Sequence, residues 1–206
     1  RDGVLELTRI AVGDHILLGG DNMDLALAHL VAQKLRDAGK ELDRWQTVAL
    51  THGCRAAKER LLGDPKLASA PIALASRGSS LFGSALRSEL TQEEVTRVLV
   101  DGFFPVVPAS ARPATRARVG LTQIGLPYAA DPAVTKHLAA FLTRQARAGA
   151  RHGSLLHPSA VLFNGGVVKG DALRARLLDA LTRWLEEDGA PPPRVLPGAD
   201  PDLAVA

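Results

Sequence analysis

The sequence is poor in aromatic residues, poor in sulfur and free of long apolar runs. Aromatics make up 4% of the 206 residues, too few for the stacking platform of a single-strand nucleic-acid binder. No stretch approaches the ~20 apolar residues of a membrane-spanning helix. Cys54 is the only cysteine. An internal disulfide is therefore excluded, and the lone thiol suits a reducing, cytoplasmic setting. The six histidines form neither HxH nor HExxH, so no zinc site is expected. GxGxxG, GxxxxGK[ST] and GxSxG are all missing. Their absence removes the dinucleotide fingerprint, the P-loop and the serine nucleophile elbow.

Charge of one sign is also lacking, since 25 basic residues stand against 22 acidic ones. Arginines gather at Arg112, Arg116 and Arg118, and again at Arg144, Arg147 and Arg151. Neither group contains an aromatic, and both read as solvated faces. Neither a nucleic acid nor a membrane is an expected partner.

What is present is an ordinary globular composition, 46% hydrophobic and 23% charged. The length suits one sizeable domain, or one domain in two lobes. The chain opens Arg1-Asp2-Gly3 without a methionine or a signal-peptide pattern. It reads as a piece of a longer chain.

Apolar periodicity places the elements. Val4–Val12 is β-branched enough for a strand, and Gly13-Asp14 signals a turn. After Gly19-Gly20, Asp21 is positioned to cap a helix whose apolar residues are Met23, Leu27, Leu30, Val31 and Leu35. Gly39 ends it. A second helix runs from Arg44 to Leu62, with Trp45, Val48, Ala49, His52 and Ala56 on one face. Gly53 inside it costs about 1 kcal/mol relative to alanine.

Pro71–Ser76, the turn Arg77-Gly78-Ser79-Ser80 and Leu81–Ser88 predict a hairpin. Thr91 and Glu94 form a capping box, with Leu90 stapling onto Val95. Val95, Val98 and Leu99 form the apolar side of that helix. Phe103–Asp131 is proline-rich and irregular, a long excursion or insertion. A helix over Ala133–Ala148 follows, then a strand over Ser159–Phe163 of the kind buried on both faces. The last helix, Asp171–Glu187, aligns Leu173, Leu177, Leu178, Leu181 and Trp184.

Between that strand and that helix stands Asn164-Gly165-Gly166. A glycine after a strand lets a ligand approach the backbone. The free N–H groups of a helix start favour anions or polar ring atoms. A strand-to-helix turn requires glycine often enough to explain the pair without a ligand.

Several short motifs in a fixed order go further. Asp2–Leu7, Gly13-Asp14 and Leu18-Gly19-Gly20-Asp21-Asn22-Met23-Asp24 are similar to a strand, GD turn and LGGEDFD segment. Cys54–Leu61 looks like CERAKRTL, and Leu86–Glu94 resembles a threonine- and arginine-rich helix start. Val161–Gly166 is similar to the LVGG of an adenosine motif, and Asp200–Ala206 to NPDEAVA. In this order they resemble the second lobe of the ATPase domain of DnaK-type heat-shock chaperones, within the actin-like ATPase superfamily. The resemblance covers about residues 2–99 and 132–206.

The resemblance implies an α/β fold, an actin-like (ribonuclease H-like) half-domain. Residues 1–20 and 100–206 would form a larger subdomain, a sheet flanked by helices. Residues 21–99 would form an inserted helix-plus-hairpin subdomain. It also implies ATP or ADP as ligand, with magnesium in the full-length parent. The implied partners are the missing first lobe of the ATPase domain and a co-chaperone or client protein.

By residue-by-residue match, Lys58 takes the place of the lysine that reaches the nucleoside. Gly165 and Gly166 take the place of the pair against which the nucleoside packs. Arg55 stands where the family has glutamate, and Leu62 where serine is usual. Val167 and Val168 replace serine and threonine, and Lys169 stands near the expected arginine. The family's phosphate-binding turns have no counterpart here, so the chain alone is not expected to hydrolyse ATP. These departures leave open a non-hydrolysing interaction scaffold that kept the fold and lost the nucleotide. A sugar- or acetate-kinase-like member of the superfamily is a further alternative.

Overall fold

The computed structural model describes residues 8–13, 16–75, 85–114, 131–148 and 154–198. Asp14 of the expected turn, the hairpin tip 77–80, most of the excursion (115–130) and the motif at 200–206 lie outside them.

Helix α1 spans Gly20–Asp37. Its N-cap is Gly19, one turn-entry earlier than the expected Asp21. Asn22 explains the shift: its Oδ1 accepts the Gly19 N–H at 2.8 Å, fixing the entry from inside the first turn. Met23, Leu27, Val31 and Leu35 are buried at four-residue spacing. The helix stops at Gly39, whose φ of +72° suits the left-handed exit that glycine adopts at least cost.

Helix α2 spans Arg44–Gly63. Asp43 Oδ1 accepts the Gln46 N–H at 2.7 Å, and Gln46 Oε1 accepts the Asp43 N–H at 3.1 Å. This reciprocal box sets the rotation of the helix. Gln46, Leu50, Cys54, Ala57 and Leu61 face inward. The face expected from Trp45, Val48 and His52 points to solvent instead, with Val48 55% exposed. Gly53 gains a reason: a Cβ there would meet Ile72 Cγ2 at 3.2 Å, so the hairpin lies close against α2.

The hairpin strands are β1 (Ser69–Leu74) and β2 (Leu86–Thr91), antiparallel with Ala70 opposite Leu90. β2 thus continues through residues expected to lead into the helix. Ala70, Ile72 and Leu74 alternate inward. Thr91 then caps α3 (Gln92–Val95) as the sequence predicts, taking the Glu94 N–H at 3.1 Å while Glu94 takes the Thr91 N–H at 2.9 Å. Leu90 and Val95, the predicted staple, are both fully buried in one cluster. A π-helical stretch, Thr96–Asp101, continues α3 and buries Leu99 and Val100.

Helix α4 spans Val134–Ala148 and α5 spans Asp171–Glu187, both close to expectation. Residues 104–114 carry no helix or strand, yet they are tied down. Trp184 Nε1 donates to the Val107 carbonyl at 2.8 Å, and Thr135 Oγ1 to the Pro105 carbonyl at 2.8 Å.

Two expected strands are corrected. Of the strand expected over 4–12, residues 4–7 lie outside the described residues, and 8–12 form no strand, with Ile10 83% exposed and no described strand beside them to pair. The doubly buried strand over 159–163 shrinks to β3 (Ala160–Val161), paired in parallel with β4 (Arg194–Val195). Leu162 is exposed, because no further described strand extends this pair.

The molecule is mixed α/β, with two clusters of buried side chains. One joins α1, α2, the hairpin, the α3 region and Leu173. The other joins Leu142, Leu155, Leu181, Trp184 and Leu185. Helix α5 contributes to both, Leu173 at its start and Trp184 near its end.

Candidate functional site

Gly165 holds φ +95°, a conformation that side-chain-bearing residues rarely adopt. This lets the chain leave β3 and turn directly into a short 3-10 helix, Gly166–Lys169. Gly170 then caps α5, with the Leu173 N–H bonding its carbonyl at 3.1 Å. A Cβ on Gly170 would sit 3.5 Å from Leu62, so the turn packs against the end of α2. Gly20, at the start of α1, lies near both Lys58 Nζ and Val167.

Three chain segments therefore converge on one cleft of about 690 Å³. Of the residues singled out in the sequence, Arg55, Lys58, Gly166, Val167 and Lys169 line it. Gly165 does not; it shapes the turn behind the wall. Beyond its own turn, no atom of the described residues lies within 4 Å of where a Cβ on Gly166 would stand, so the backbone there is open to approach. Met23, Leu62, Val167 and Leu173 supply apolar wall.

The charged groups of the cleft are organised around Asp24, which is fully buried. Lys58 Nζ lies 2.6 Å from Asp24 Oδ1. Arg55 Nε donates to Asp24 Oδ2 at 2.7 Å, and Arg55 also pairs with Asp21 at the rim. The hydrogen bond to Asp24 holds the Arg55 guanidinium above its already high ordinary value. Behind them Cys54 is fully buried. Burial, reinforced by the Asp24 charge, pushes its thiol up to about 12. Cys54 is therefore a packing residue and no nucleophile at neutral pH.

The cleft has the chemistry to hold a ligand. It offers ammonium and guanidinium donors, an open glycine backbone and apolar wall, the mix that ligand sites use. No group of three or more His, Cys, Asp or Glu placed to hold a metal occurs among the described residues. A second cavity of about 650 Å³ lies between α4 and β3, lined by Phe141, Leu162 and Phe163, and brings together none of the predicted residues.

Asp24 carried no role in the sequence reading. Its signal was its place: it follows Met23 and shares the inward stripe with Leu27, Ala28 and Val31. A carboxylate on an apolar stripe must find a cation. Glu59 and Leu173 also line the cleft and were not assigned to it. No family model matches the chain, and no curated protein matches it.

Proposed function

We propose that this cleft is the nucleoside end of an adenine-nucleotide site, in the second lobe of a divergent DnaK-like, actin-like ATPase. One observation carries the reading. Lys58 and Gly166, matched to separate family motifs far apart in sequence, line the same cleft. A chance pair of short motifs has no reason to meet in space. The chemistry agrees. Lys58 presents donors beside apolar wall, as ribose and purine require, and Gly166 leaves its backbone uncovered. Catalytic phosphate and magnesium positioning would come from turns outside this chain, one in the first lobe and one just upstream of Asp2, so the chain alone binds without hydrolysis.

Calorimetric titration of Mg-ADP into the longer protein carrying this chain tests the reading. Binding is expected, and Lys58→Ala is expected to weaken it by about 1–3 kcal/mol, the scale of a lost charged hydrogen bond. Absence of binding would leave the scaffold reading, in which the fold serves protein partners alone.

A further inference from the structure

Arg55 and Lys58 stand one turn apart on α2 and reach the same carboxylate on α1. Asp24 has no exposed surface, and the Lys58 side chain is only 10% exposed. An ammonium buried to that degree without an anion would cost several kcal/mol or leave the site. Asp24 is what allows Lys58 to stand in the cleft.

The same contact determines what Lys58 offers. Asp24 faces both cations, Asp21 supplies the second negative charge through Arg55, and Lys58 also donates to the Gly20 carbonyl at 3.5 Å. Three cations, Arg55, Lys58 and Lys169, line the cleft with the carboxylates of Asp24 and Glu59, and Asp21 stands against Arg55 at the rim. A balanced wall exerts little net pull on an anion. It still presents N–H donors, and these suit uncharged acceptors such as hydroxyls and ring nitrogens.

We infer that Asp24 is the positioning residue of this cleft, and that by matching Lys58, while Asp21 matches Arg55, it makes the site recognise the uncharged nucleoside rather than the phosphates. This rests on the nucleotide reading above and narrows it. The chain would hold the base and ribose, with affinity for phosphate left to groups outside the cleft.

The test is an NMR chemical-shift titration of the isotope-labelled 206-residue chain with adenosine and with magnesium-free ADP, at two salt concentrations. The two ligands are expected to bind within about threefold of each other with little salt dependence, because a neutralised pair adds little net attraction. Asp24→Asn leaves one positive charge unmatched, because Asp21 still pairs with Arg55. It is expected to shift the preference toward ADP by about tenfold and to introduce salt dependence. A purely structural role for Asp24 would weaken both ligands equally and leave their ratio unmoved.

ADP binding tenfold or more above adenosine in the unmodified chain would overturn the inference while keeping the nucleotide reading. So would an unmoved ratio in a folded Asp24→Asn variant. Binding of neither ligand to the chain would overturn this inference, while the nucleotide reading stands or falls with the Mg-ADP titration above. Should Asp24→Asn fail to fold, the ratio and salt dependence of the unmodified chain decide alone.

Discussion

Around Leu27 and Leu50 the core is made by helix faces and a hairpin, whereas around Trp184 it is made by the faces of α4 and α5 with Leu155, and irregular chain is pinned against them. In the first region each element carries its own instruction. Asp43 with Gln46, and Thr91 with Glu94, start helices through reciprocal local bonds, and four-residue spacing orients α1. In the second region the fixing contacts are long-range. Trp184 holds the Val107 carbonyl, Thr135 holds Pro105, and the Leu156 N–H bonds the Leu142 carbonyl at 2.9 Å. Asp188 gathers Ser154 and His157 at 2.8 and 2.7 Å. Local bonds form a segment wherever it lies; long-range bonds exist only once both partners are in place. The cleft sits where α5 leaves the first cluster, beside Leu173.

The largest expected effect falls on the second region. Trp184→Ala removes its largest buried side chain and leaves the Val107 carbonyl without its donor. A loss of about 3–5 kcal/mol in urea unfolding is expected. If the two regions differ as described, circular dichroism from helices should persist beyond the point where the tertiary signal near α4 is lost. A single coincident transition for both probes would merge the regions into one cooperative unit.

A smaller effect probes the tight fit of the first region. Gly53→Val places a branched side chain against Ile72, where a Cβ alone would already stand at 3.2 Å. Destabilisation of about 1–3 kcal/mol is expected from overpacking. Unchanged stability would show that the hairpin can shift away from α2, and the contrast between the regions would lose its sharpness.

The smallest effect is one of pH. Hydrogen bonding from His157, with further bonds from Ser154, lowers Asp188 from 3.8 to about 2. A depressed carboxylate contributes stability that is complete above its unfolded value. That contribution declines as the pH falls from about 4 and is gone below about 2. Replacing it, as in Asp188→Asn, should flatten the stability profile between pH 4 and 2. Superimposable profiles for the two proteins would remove this clasp from what holds the second region.

The sequence was legible where a few neighbouring residues carried the instruction. The bounds of α5 match the pattern of Leu173, Leu181 and Trp184, and the Thr91 capping box was readable from two side chains. It misled where two faces of one helix were both plausible. On α2 the bulky Trp45 and Val48 outweighed the smaller Cys54 and Ala57, and the reading rotated the helix. It misled again at residues 8–12 and 159–163, where apolar composition suggested strands. A strand needs a neighbour for its backbone groups, and composition does not provide one.

By itself the sequence determined the helices, the Thr91 capping box and the presence of the hairpin, because hydrophobic period and capping chemistry act over a few residues. It also marked Arg55, Lys58, Gly166, Val167 and Lys169 as residues worth finding together. Tertiary structure alone decided that these residues meet, and that Asp24 stands between the two cations. The approach of α5 and its turn to α1 and α2 is set by packing around Leu62, Gly170 and Leu173. The charge state of the cleft follows from burial, which forces a carboxylate and an ammonium to pair once water is gone.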